Sequence, residues 1–107
     1  LEEYFRKPSA IVCYSAGSFG GVRAAIALRA MLAEMGMSSI PSLFPIPRVQ
    51  DAFDDEGRPK DESYHGRADR FMDELEWYAC ALRNARNQPC ERSECAAGSL
   101  VGKGKTT

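Results

Sequence analysis

A short apolar run, Ala10-Ile11-Val12-Cys13-Tyr14, leads through Ser15-Ala16-Gly17-Ser18-Phe19-Gly20-Gly21 into a segment of helical apolar periodicity. That order reads as a buried strand, a Ser/Gly loop and a helix, with Pro8 tolerated at the strand's edge. The junction constrains the chain more than any other feature. A strand that hands over to a helix in this way puts the loop at its carboxyl end, where open α/β sheets bind ligands. The glycines let the backbone come close to a flat or anionic group.

The organisation downstream follows from periodicity. Between Gly21 and Gly36, the residues Val22, Ala25, Ile26, Leu28, Leu32 and Met35 fall on one broad side of a helix, and Gly36 is a natural stop. A second apolar run covers Ser38 to Phe44, with the strand itself expected at Ser39–Phe44. Pro41 interrupts it and marks a strand start or an edge. Pro45 to Asp61, rich in proline and acidic residues and turning at Asp55-Glu56-Gly57, reads as an exposed irregular connection. From Glu62 to Arg86 the apolar positions Ala68, Phe71, Met72, Leu75, Tyr78, Ala79 and Leu82 keep helical spacing. The opposite face, with Asp69, Asp73, Glu76 and Arg83, reads as solvated surface. Beyond this the periodicity disappears, and residues 87–107 read as a disordered tail.

Strand, helix, strand, loop, helix predicts a right-handed crossover and a parallel strand pair. Parallel sheets need cover on both faces and protection at both edges, so two strands make a poor sheet. The reading therefore expects further strands upstream.

At 107 residues, 44% hydrophobic and 27% charged, the chain is one ordinary globular domain at most. A net charge of −1 gives no basic footprint for nucleic acid or for an anionic membrane. Cys13 and Cys80 fall in a strand and a helix, and Cys90 and Cys95 follow; no Cys-x-x-Cys pair occurs, and His65 is the one histidine. Reduced thiols are expected and a metal site is not. The chain has neither a signal-like apolar segment nor a membrane-length apolar run, which points to a soluble cytoplasmic protein.

Three readings of Ser15–Gly21 stand side by side. Its amides and the following helix N-terminus suit an electron-rich ligand edge. Cys13-Tyr14-Ser15-Ala16-Gly17 also resembles a nucleophile elbow, and Ser15, Asp54 or Asp55, and His65 follow the chain order of a hydrolase triad. An elbow enters its helix directly after the nucleophile, however, whereas Gly20-Gly21 postpone the helix here. The third reading is a tight turn and nothing more. Near the C-terminus, Gly98 to Thr106 superficially suggests a phosphate loop, but Ser99 stands where the first glycine belongs.

Lys7-Pro8, the apolar strand, Ser15-Ala16-Gly17-Ser18-Phe19-Gly20-Gly21, Arg23-Ala24, Leu28, Leu32 and Gly36 together resemble the C-terminal half of the NADPH-dependent FMN reductase family. The resemblance runs over about residues 5 to 86. It implies an α/β, flavodoxin-like open parallel sheet, of which residues 1–86 would be the C-terminal βαβα portion. It also implies a homodimer or homotetramer, non-covalent FMN, and hydride transfer from NAD(P)H through the flavin to a quinone, azo compound, metal ion or free flavin. The cofactor carries that chemistry, so no side chain is given a catalytic role. By position, Ser15, Ala16, Gly17 and Gly20 would approach the isoalloxazine edge, Ser18 and Phe19 would lie near the ring, and Gly21 would open the helix. Arg23 is left to packing or a subunit contact. The family's phosphate-binding loop precedes the region that matches. The rival reading is a non-catalytic fragment or interaction module on the same scaffold; a serine hydrolase using Ser15 comes third.

Overall fold

The computed structural model describes residues 2–88. The reading of a tail over 89–107, the Gly98–Thr106 segment, Cys90 and Cys95 lie outside the described residues. After a single 3-10 turn at Glu2–Tyr4, the chain forms β1 (Pro8–Tyr14), α1 (Val22–Glu34), β2 (Ser38–Ile46), the four-residue α2 (Val49–Ala52) and α3 (Ser63–Asn87). β1 and β2 pair in parallel, as the crossover requires, and the molecule is an α/β unit with a two-stranded sheet. This is consistent with a fragment of a flavodoxin-like fold.

Pro41 of β2 is accommodated by a register break. Ser9 lies opposite Ser39 and Ile11 opposite Leu43, so β2 takes extra residues around Pro41 where β1 runs straight. The missing N–H of Pro41 thereby falls in a bulge and costs the ladder nothing. Arg29 of α1 reaches the bulge and donates from Nη2 to the carbonyls of Ile40 (3.1 Å) and Pro41 (3.0 Å). Below it, the hydroxyls of Ser9 and Ser39 meet at 2.7 Å.

Register also sorts the faces. Val12 pairs with Phe44, so their side chains share a face, and Ile11 and Leu43 share the other. Phe44 packs against Tyr64 and Phe71 of α3, with ring centroids 6.0 and 5.6 Å apart, so α3 covers that face over β2. Ser42 fastens the same helix: its Oγ donates to Glu74 Oε2 at 2.5 Å and its amide to Oε1 at 3.3 Å. Ile11, Ala25, Ile40, Ala52 and Phe71 are the buried apolar residues.

Two expectations need correction. Pro45–Asp61 is not irregular throughout: Pro45 and Ile46 extend β2, α2 follows, and Phe53 bridges antiparallel to Pro59. Val49 and Ala52 lie one helical turn apart, and burial of Ala52 orders the segment. The Asp54 carboxylate then fixes the turn by accepting the amides of Glu56 and Arg58, both at 2.9 Å. Asn87, expected in the tail, is the last residue of α3. The helix stops there because Pro89 disfavours a helical Gln88, whose φ is −133°.

At its other end, α3 is entered through Asp61, whose Oδ1 accepts the Ser63 amide at 2.9 Å. That bond, then the Ser63 hydroxyl, holds the Asp61 carboxyl below its ordinary range. A lowered folded pKa means stabilisation that is present above the unfolded value and lost as pH falls through the folded one. The stability gap between wild type and Asp61→Ala is therefore expected to close on acidification into and below the carboxylate range, as read by urea unfolding at a series of pH values. In the same assay Phe71→Ala is expected to cost about 3 kcal/mol, while the neighbouring exposed Met72→Ala stays within about 0.5 kcal/mol.

Candidate functional site

The loop from Ser15 to Gly21 leaves the carboxyl end of β1, as the strand-loop-helix reading expects. Its path is set by two glycines with left-handed backbones. Gly20 has φ 63° and is buried; a Cβ there would lie 3.0 Å from the Pro47 nitrogen and 3.1 Å from Pro45 Cβ. Gly21 has φ 82°, and a Cβ would lie 2.9 Å from the Tyr14 carbonyl oxygen. Side chains at these positions meet both backbone strain and backbone atoms. Gly21 also opens α1, with its carbonyl accepting the Ala25 amide at 3.0 Å.

The loop spends its carbonyls on the segment that follows β2. Ser15 O accepts the Val49 amide and Gly17 O the Arg48 amide, each at 3.0 Å, and Ala16 O accepts Gln50 Nε2 at 3.2 Å. Arg48 adopts φ 46° to make this possible. The Phe19 carbonyl closes the turn onto the Val22 amide at 3.3 Å. Among the described residues, no acceptor faces the amides of Ala16, Gly17, Ser18 and Phe19, and these residues are exposed. The result is a run of amides free of acceptors among the described residues, beside the N-terminus of a thirteen-residue helix, a surface suited to an electron-rich ligand edge.

Arg48, Val49 and Gln50 were not singled out from the sequence. Their role arises from a pairing across some thirty residues, and nothing local in Pro47–Gln50 marks it. Phe19 projects from the loop, 72% exposed, with the Arg23 guanidinium 5.6 Å above its ring, so the packing role left open for Arg23 is a cation–π contact. A Cβ at Gly20 would meet the end of β2, and one at Gly21 the end of β1.

The elements of a nucleophilic site do not assemble. Ser15 Oγ donates to Gly17 O at 3.3 Å, and the Asp54 carboxylate is engaged by its own turn. No hydrogen bond among the described residues links Ser15, Asp54 or Asp55 to His65. Cys13 is half-buried in β1 and Cys80 is exposed on α3, and both are free thiols. No group of His, Cys, Asp or Glu able to hold a metal occurs among the described residues, and no helix there is long and apolar enough to cross a membrane.

Residues 1–51 match the family model of the NADPH-dependent FMN reductases. The match takes in β1, the loop, α1 and β2 and ends within α2, so α3 lies beyond it. The resemblance read from the loop motif is borne out over that span, and the comparison supports an oxidoreductase of the NADPH-dependent FMN reductase type. No curated protein and no solved structure matches the chain.

The glycines of the loop differ in what a side chain would meet. Gly20→Ala and Gly21→Ala are each expected to lower stability by more than about 1 kcal/mol, from positive φ and backbone contact. Gly17→Ala, whose Cβ would meet only Ser15 Oγ at 3.9 Å, is expected to leave the unfolding midpoint nearly unchanged. Chemical denaturation of the three variants checks the order.

Proposed function

We propose that residues 2–88 form the C-terminal part of a flavodoxin-like NAD(P)H-dependent FMN reductase and supply its flavin-edge loop. The observation that carries this reading is the division of labour in Ser15–Phe19, where the carbonyls of Ser15, Ala16 and Gly17 bind the start of α2 and the amides of the exposed Ala16 to Phe19 have no acceptor among the described residues. Such a strip fits the acceptor-rich edge of an isoalloxazine. FMN, when bound, accepts hydride from NAD(P)H and passes reducing equivalents to a quinone, azo compound, metal ion or free flavin.

The protein's part is to hold and orient. The amides of Ala16, Gly17 and Ser18 would donate to the ring edge, and they are held for that purpose by Arg48, Val49 and Gln50 rather than ordered at the moment of binding. Gly17 keeps the approach open because it carries no side chain. Phe19, stiffened by Arg23, would stand at the border of the ring and limit water there.

An FMN phosphate needs a separate anchor, and in this reading it comes from the first half of the fold. The surface of β1 supports such a completion. On the α3 face Val12 and Tyr14 are 58% and 68% exposed, and among the described residues no strand pairs with the edge of β1 away from β2. Beside β1 lies an apolar groove of roughly 260 Å³, lined by Ile11, Cys13, Ala24 and Leu28 among others. A parallel strand on that edge and a helix over Val12 and Tyr14 would bury what is now open.

In a polypeptide carrying both halves, Gly17→Val is expected to weaken FMN binding by about tenfold or more, and Ser15→Ala by less than about twofold. Fluorescence titration with FMN, alongside NADPH-dependent quinone reduction, makes the comparison. Wild-type affinity in Gly17→Val would remove the loop from the cofactor site; loss of turnover in Ser15→Ala with FMN affinity intact would favour a nucleophilic serine instead.

A further inference from the structure

We propose that the cavity between β2 and α3 is a binding site for a small aromatic monocarboxylate. It holds roughly 280 Å³, room for a small ligand only, and its walls include Phe44, Phe71, Arg67, Arg70 and Glu74. Phe44 and Phe71 supply an aromatic wall, their ring centroids 5.6 Å apart. Arg67 stands over the rings of Phe44 and Tyr64, 5.2 and 5.1 Å from their centroids, and donates one long bond of 3.5 Å to the Pro45 carbonyl. Stacking of this kind fixes a planar guanidinium and leaves its other N–H groups for a carboxylate, whose two oxygens match the fork.

A second cation is brought to the first. Arg70 follows Arg67 by one helical turn, and a Cβ on Gly66 would lie 4.0 Å from Arg70 Nη1, so the Arg70 side chain lies back along the helix towards Arg67. Two like charges so placed repel unless an anion joins them, and the chain does not supply one. Glu74, one turn on from Arg70, accepts the hydroxyl and amide of Ser42 instead, and Asp61 feels the Arg67 charge without pairing with it. Among the described residues neither arginine forms a salt bridge. Two arginines against one glutamate leave the cavity one positive charge in excess, which matches a monocarboxylate and disfavours a phosphate dianion beside Glu74. The aromatic wall selects a ring as the body of the ligand. α3 lies beyond the span of the family match and no residue of Ser15–Phe19 lines the cavity, so the site does not rest on the flavin reading.

Titration of the full chain with sodium benzoate at constant ionic strength, followed through the backbone amides by NMR, tests it. Saturable shifts are expected at Leu43, Phe44 and Arg67 to Phe71, with benzoate bound about tenfold or more tightly than acetate or inorganic phosphate. Arg70 is exposed, so Arg70→Gln keeps the fold and is expected to raise the benzoate dissociation constant about fivefold or more. Arg67→Lys, which keeps the charge and loses the fork, is expected to weaken binding as well. Arg58→Gln, whose arginine pairs with Glu56 away from the cavity, is expected to bind as wild type does. Absence of a saturable shift, or undiminished affinity in Arg70→Gln, overturns the proposal. Acetate or phosphate bound as tightly as benzoate overturns the aromatic monocarboxylate, and shifts confined to Ser15–Phe19 assign the anion to the loop instead. FMN affinity, read separately, bears only on that loop.

Discussion

The parallel pairing of β1 with β2 is the constraint on which the rest depends. Parallel strands cannot be joined by a tight turn, so the chain must cross over, and α1 is that crossover. The same geometry brings both carboxyl ends to one edge of the sheet. The loop after β1 and the segment after β2 are thus neighbours although they lie far apart in sequence. The bonds that tie the loop to α2, from Val49 to Ser15 and from Arg48 to Gly17, are consequences of that adjacency.

A loop in this position must dispose of its backbone polar groups, and the disposal is asymmetric. α2 is only four residues long, yet the amides at its start take the carbonyls of Ser15 and Gly17. With those carbonyls taken, the adjoining amides of Ala16 to Phe19 are left without an acceptor among the described residues. Donor polarity at the site is therefore a by-product of how the loop is tied down. Gly20 and Gly21 serve the tie, since a side chain at either would strike β2 or β1. Gly17 alone among the three leaves space above the strip.

Local pattern carried a large part of this architecture. The apolar runs, the helical spacing of Phe71, Leu75, Tyr78 and Leu82, and the glycines flanking α1 each specify an element through side-chain periodicity or backbone permission, both of which are local properties. What was not legible depends on distant partners. The order in Pro45–Asp61 comes from burial of Ala52 and from the loop carbonyls that α2 meets, neither of which leaves a trace in the proline-rich composition. Pro41 announced an interrupted strand, but the answer, a bulge whose carbonyls are held by Arg29, needs a helix on the neighbouring layer. The different surroundings of Gly17, Gly20 and Gly21 were likewise invisible, because nothing local in the sequence distinguishes the three.

The distribution of exposed apolar side chains separates two kinds of demand on the surface. Val12 and Tyr14 lie on the inner, sheet-facing layer, where only another element of the same fold can cover them without leaving β-sheet polar groups unpaired. Trp77 and Cys80 lie on the outer side of a helix whose backbone is already satisfied within itself, so cover there requires only side-chain complementarity. An open strand is selective for backbone and nearly indifferent to sequence, whereas a helix face is selective through its side chains.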